Sequence, residues 1–417
     1  MQFAVLSEND YNDYMTTQRC FLSQTVSYGR VRAAEGYRVE YVGVRDAAGA
    51  ICGAGLIMYQ PWKKIFTRAS LAYGPTLDWS RSEVVSAFFS GLNRHFASQP
   101  RLLTARINPI LARRWYTDIT PLKDNPVAGA VSEALERDGW RHLPYEFGER
   151  ADIQLRWIYT KTISGMNFEE AKATLAKGLR RRFNNENRYG VQTRFLGPED
   201  FDVFAQLYAS TRDRTDGMPA LSASAVRFYR DLMADMGPER ALLAVAYVSP
   251  RRYLDQIASE RAEVHARIEV LRGRKETKAR DRELEQAAQR LEVLDGQEDM
   301  ARETLAERGD AEIPFNAALG FRVGSELILL LGGMDKTLSA YARDYPVERA
   351  MFKYACDEGL DIYNTFGISG DFSEDAADAN ILAFKRWLNG QVEEFVGTYE
   401  KTFAPRFLAR ALGAETR

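Results

Sequence analysis

Between residues 253 and 305 the chain places apolar side chains on a seven-residue frame twice, and this narrows the fold more than any other stretch. Leu254, Ile257, Arg261, Val264, Ile268 and Leu271 step by three and four, and Leu284, Ala287, Leu291, Leu294, Ala301 and Leu305 keep that phase apart from a polar Glu298. Such positions form the seam between paired helices. With Gly273 as the turn, the two segments predict an antiparallel hairpin, roughly 35–40 Å long for helices of about 25 residues. Its tip, R-G-R-K-E-T-K-A-R-D-R, carries six basic and two acidic residues. Arg272, Arg274, Lys275 and Lys278 are therefore candidates for nucleic-acid phosphate contact. A solvated helical face or a dimerisation arm is the alternative.

On either side of this arm the pattern is mixed α/β. Strands are expected at 3–6, 39–44, 51–59, 65–71 and 102–107, with helices at 8–16 (Ser7 as N-cap), 82–98 and 128–138. A second unit begins near Tyr145 with a strand at 151–158, a helix at 168–182, a strand at 192–196, helices at 198–211 and 224–236, and a strand at 241–248. After the arm come a hairpin at 313–323 and 326–331, a sheet break at G-G-M-D, and a helix at 347–358. The division is 1–144, 145–249, the arm at 250–309, and 310–417.

A net charge of −2 means that a polyanion partner must be met by local patches. Cys20, Cys52 and Cys356 lie far apart, which excludes a zinc site of the usual spacing and predicts a reducing compartment. The N-terminus lacks a basic leader, and no apolar run reaches the roughly 18 residues of a membrane span. A cytoplasmic protein without metal is expected.

Chemistry concentrates at 361–397, where D-I-Y-N-T-F-G-I-S-G-D-F and I-L-A-F-K-R-W-L-N-G-Q-V-E-E-F-V-G read as strand, glycine turn, short helix and strand. Lys385 lies between Phe384 and Trp387, near Gly367, Gly370 and Gly390. It is either a lysine whose stem packs at a helix end or a cation aimed at an oxyanion. His95, His142 and His265 are scattered and read as structural, and Cys356 reads as a small buried residue. Arg180, Arg181, Arg182 and Arg188 form a second basic cluster, suited to nucleic-acid phosphate or to plain solvation.

Several short segments carry a resemblance when taken in order: F-L-S-Q-T-V-S-Y-G-R-V-R, A-Y-G-P, A-K-G-L-R-R-R-F-N-N-E-N-R-Y-G-V, T-R-D-R-T-D-G, L-G-G-M, Y-N-T-F-G-I-S-G and F-K-R-W-L-N-G. With the heptad hairpin, they resemble the Fem family of non-ribosomal peptidyltransferases over nearly the whole chain. The resemblance implies an α/β fold of two acetyltransferase-like (GNAT-like) domains with the coiled-coil arm inserted in the second. It implies an aminoacyltransferase that uses aminoacyl-tRNA as co-substrate, needs no cofactor, and extends the stem peptide of a peptidoglycan precursor. Whether that precursor is lipid II or a UDP-linked form stays open, as do contact with the inner membrane face and the choice between monomer and dimer. Lys385 falls on the family's Phe-Lys lysine, which steadies the tetrahedral intermediate. Arg32 falls on its phosphate-binding lysine, offering a fork instead of a point charge. Arg214, or Arg212 in the alternative register, falls on its loop arginine. Tyr28, Phe384, Gly333 and Tyr363 are further substrate-binding candidates. Asn108 stands where the family often has Asp, and Asn cannot act as a base.

Two other readings remain. One is an acyl-CoA-dependent N-acyltransferase, disfavoured because no glycine-rich pyrophosphate loop opens a helix. The other is a non-catalytic tRNA-binding scaffold.

Overall fold

The structure, a computed structural model, describes residues 1–144, 154–213 and 218–414. Arg214 and residues 151–153 of the strand expected at 151–158 fall outside them, and the described part of that stretch is strand only from Trp157 on. The first half runs β1 (Gln2–Val5), α1 (Glu8–Met15), α2 (Val26–Ala34), β2 (Arg38–Arg45), β3 (Ile51–Trp62), β4 (Phe66–Leu71), β5 (Thr76–Leu77), α3 (Ser82–Ala97) and β6 (Leu102–Ile107). Then follow β7 (Ala112–Thr117), β8 (Thr120–Asp124), α4 (Pro126–Arg137) and β9 (Arg141–His142). The second half has β10 (Trp157–Thr162), α5 (Phe168–Ala173), α6 (Lys177–Phe183), β11 (Val191–Leu196), α7 (Phe201–Arg212), α8 (Ala223–Met236) and β12 (Ala241–Val248). The arm is α9 (Pro250–Arg272) and α10 (Lys278–Arg308). The chain ends with β13 (Ile313–Val323), β14 (Glu326–Met334), α11 (Pro346–Asp357), β15 (Ile362–Ile368), α12 (Ala379–Arg386), β16 (Gln391–Phe395), β17 (Tyr399–Thr402) and α13 (Arg406–Ala411).

The two halves repeat one plan: strand, two helices, three antiparallel strands, a helix, and a strand parallel to the last. In the first, β1–β2–β3–β4 is antiparallel and β6 joins β4 in parallel; in the second, β11–β12–β13–β14 is antiparallel and β15 joins β14 in parallel. This is the paired arrangement expected from the sequence. The arm replaces the β12–β13 turn, at the place where the first half has the tight turn of D-A-A-G between β2 and β3.

The sheets themselves exchange strands across the division at 144. The β7–β8 hairpin extends the second sheet through β16, and β17 returns to the first sheet between β6 and β9. Each sheet thereby covers an edge that would otherwise present unpaired backbone groups. The helix expected at 168–182 is two helices, because at Ala176 the amide leaves the helical ladder and donates to the Trp387 carbonyl at 2.9 Å. Strand β14 continues through the G-G-M expected to break it. Gly333 permits this: a Cβ there would lie 2.5 Å from the Tyr208 backbone nitrogen of α7.

In the arm, Ile257, Ile268 and Leu271 of α9 and Ala287, Leu294 and Ala301 of α10 are buried. Arg290 meets Glu260 at 2.6 Å and Arg267 meets Glu283 at 3.1 Å, so the helices run antiparallel. The two polar departures from the seven-residue frame meet each other, with Arg261 2.6 Å from Glu298. A matched polar pair in an apolar seam fixes its register at some cost in stability.

Candidate active site

Lys385 lies in the last turn of α12 and is only 6% exposed. Its Nζ donates to the carbonyls of Gly367 at 2.6 Å and Phe366 at 3.2 Å. An ammonium has three donors, so one is uncommitted. Burial pushes Lys385 down to about 7, opposed by the nearby carboxylates of Asp378 and Glu348. Burial also pushes Glu348 up to about 7, opposed by Lys385. The lysine is thus a desolvated, titratable cation and not a solvated helix-end residue.

The two carbonyls are held in place by β15. Phe366 has a left-handed backbone, φ 63°, beside a bulge in the β10–β15 register. Asn364 makes that conformation possible: its Oδ1 accepts the Phe366 amide at 2.7 Å, while its Nδ2 donates to Glu326 at 2.6 Å. Glu326 and Glu393, both buried, are clamped by Arg19 from the first half, at 3.0 and 2.8 Å respectively. The Phe366 ring meets Phe21 and Tyr73 of the first half at centroid distances of 6.0 and 6.1 Å. A continuous path therefore runs from Arg19 through Glu326, Asn364 and Phe366 to Lys385. Behind α12, Gly390 is needed because a Cβ there would lie 2.2 Å from the Thr160 carbonyl. Asp378 closes the loop before the helix by accepting the Ser369 amide at 2.7 Å.

The other candidates are dispersed. Arg32 sits on α2 with its guanidinium 3.8 Å from the Phe228 ring centroid and near the Tyr28 and Tyr37 rings, and it pairs with Glu35 at 2.6 Å. Tyr28 accepts from Arg32 at 3.3 Å, so these two do stand together. Arg212 ends α7 and pairs with its neighbour Asp213. Gly333 lies under α7, in packing rather than at an opening. Tyr363 is fully buried against Phe352, its hydroxyl without a hydrogen-bond partner among the described residues. Phe384 packs on Tyr345 at 4.9 Å.

Arg182 stacks over Trp387 at 4.7 Å and Tyr345 at 5.1 Å, which ties the basic helix to the flank of Lys385. Arg180 and Arg181 are exposed and line an open cleft of about 410 Å³ with Lys172 and Lys177. At the arm's tip Arg272 pairs with Glu269 at 2.8 Å, while Arg274, Lys275 and Lys278 are exposed. Asn108 accepts the Tyr73 amide at 2.9 Å, a purely structural bond.

Sequence reasoning missed Arg19, Glu326, Asn364, Glu393 and Glu348. A signal was present: S-E-L-I-L and V-E-E-F-V each set acids inside an apolar strand, where a carboxylate needs a cation.

A sequence model described as the FemAB family matches residues 6–412. The chain belongs to the FemAB family. It is 25% identical over 411 residues to aminoacyltransferase FemA of Staphylococcus epidermidis, covering 96% of each, and 24% identical over 410 residues to that of Staphylococcus aureus, covering 96% of this chain and 95% of the relative. The crystal structure of FemX superposes on 99% of both chains with a TM-score of 0.78 at 17% identity, so the fold is shared. As a FemAB member the chain is an acyl-transferring enzyme. No helix among the described residues is long and apolar enough to cross a membrane.

Proposed function

We propose that this FemAB enzyme transfers an aminoacyl group from aminoacyl-tRNA to the stem-peptide amine of a peptidoglycan precursor, building the interpeptide bridge. The observation that carries the reading is Lys385, an ammonium desolvated in the protein with one donor uncommitted. An aminoacyl ester is already activated, so the reaction needs positioning and a partner for the negative oxygen of the tetrahedral intermediate. The amine nitrogen forms a bond to the ester carbonyl carbon, the oxygen takes up charge beside Lys385, and the tRNA ribose oxygen leaves with a proton lost by the amine. Arg32 and Tyr28, with Arg212 or Arg214, supply phosphate contact. The cleft of Arg180 and Arg181 and the arm tip are the surfaces for tRNA.

The test is purified protein with charged tRNAs pooled by amino acid and with lipid-linked and UDP-linked precursors, read by product mass. A product one aminoacyl unit heavier is expected. Transfer from acetyl-CoA to small amines, with every charged tRNA refused, would overturn the reading. Removal of residues 250–309 with tRNA affinity unchanged would free the arm for another role.

A further inference from the structure

The tip of the β3–β4 hairpin and helix α13 lie side by side, because the Trp62 indole donates to the Leu412 carbonyl at 2.9 Å. Residues 61–68 and 404–413 hold Lys63, Lys64, Arg68, Arg406 and Arg410 and no carboxylate, in a chain with 58 acidic and 56 basic residues. Lys63, Lys64 and Arg406 are exposed, and their side chains make no hydrogen bond or ion pair among the described residues. Next to these cations in the sequence stand Ile65, 59% exposed, and Phe407, 78% exposed.

The turn that presents the lysines is strained. Lys63 and Lys64 have φ of 47° and 68°, consecutive left-handed positions where hairpins favour Asn or Gly. Strain of this kind persists where the surroundings fix it, and it gathers at working surfaces.

We propose that this face docks on an anionic lipid bilayer, with Lys63, Lys64 and Arg406 meeting lipid phosphates and Ile65 and Phe407 entering the headgroup layer. Exposed cations beside exposed bulky apolar side chains fit an interface that is charged at its surface and apolar beneath. A nucleic acid would use the cations but has no place for the aliphatic Ile65, since its contacts are to phosphates and to base faces that stack on aromatics. The inference goes beyond the proposed function, since it assigns a surface to the bilayer and does not depend on which precursor accepts the aminoacyl group.

The experiment is sedimentation of the full chain with vesicles of phosphatidylcholine alone and with added phosphatidylglycerol. Binding only to the anionic vesicles is expected, weakening as salt is raised from 0.1 to 0.5 M. Reversing both lysines (Lys63→Glu with Lys64→Glu) should weaken it by roughly 30-fold or more. Phe407→Asp should weaken it by about tenfold, and both variants should still transfer to a soluble UDP-linked acceptor. Equal partition to neutral vesicles, no binding to either kind, or unchanged binding by both variants would overturn the proposal. Loss of tRNA retention by the lysine variant with vesicle binding intact would assign the face to nucleic acid instead. Vesicle binding without transfer to any acceptor would sink the transfer reading and leave this one standing.

Discussion

The two halves share a plan but finish their parallel strand pairs differently. In the first, β4 and β6 pair through Leu71 and Ile107, at the ends of both strands. Neutral amides close the loops beyond them. Gln24 donates to the Ala72 carbonyl and accepts the Leu56 amide, each at 2.9 Å, while Asn108 accepts the Tyr73 amide. In the second half, β14 and β15 pair only from Glu326 to Asn364, although both strands run on. Beyond that point a lysine, not an amide, meets the carbonyls of Phe366 and Gly367. A satisfied amide network locks a scaffold. A desolvated cation with a spare donor costs stability and is retained where it does chemistry. In the proposed mechanism the first half therefore acts as a wall, lending Phe21, Tyr73 and Arg19, while the second holds the charge that meets the oxyanion.

The sharpest way to break this comparison is to remove the charge. Lys385→Ala should lower turnover by roughly 10²–10³-fold, as when an oxyanion donor is lost, with acceptor KM changed only a few-fold in steady-state transfer assays. A matching loss in KM would make the lysine a binding group.

Next in size is the clamp between the halves. Arg19→Ala leaves Glu326 and Glu393 buried without their cation and should cost about 3 kcal/mol in urea denaturation, at the low end because Arg19 is a third exposed. Arg19→Lys should recover part of this, since it keeps the charge without the fork.

The third prediction concerns pH. Lys385 titrates near 7 when folded and near 10.4 when unfolded. The unfolded chain binds more protons in between, so this residue's contribution to stability is full above about 10 and is lost as pH falls through about 7. Relative to Lys385→Met, wild type should gain a few kcal/mol between pH 7 and 10 in chemical denaturation. A constant difference would mean that the lysine is not desolvated.

The smallest effect belongs to the first half. Gln24→Ala strands the Leu56 amide, while the Ala72 carbonyl keeps the Ser23 hydroxyl as donor, and should cost about 1–3 kcal/mol of stability while leaving kcat within a few-fold. A collapse of kcat at native stability would place chemistry in both halves.

Much of this was legible in the sequence, for reasons that differ by element. The arm follows from its seven-residue period, and even its two misfits, Arg261 and Glu298, turn out to be partners. Lys385 stood out through its aromatic neighbours and surrounding glycines. The strand exchange did not, because A-R-R-W-Y-T of β7 has no clean alternation and finds its partner β16 far along the chain. Nor did the clamp, since Arg19 and Glu326 are 307 residues apart. The left-handed Phe366 depends on Asn364 and on rings from the other half, a tertiary condition that local sequence cannot carry.

The most direct test of the lysine's role is the pH dependence of single-turnover aminoacyl transfer in wild type and Lys385→Arg. An ammonium acting on the oxyanion predicts a wild-type rate that falls as pH rises through the lysine's range, and a slower arginine variant without that fall. A wild-type rate that instead rises through the same range, with an inert arginine variant, would make the residue a base and contradict the account.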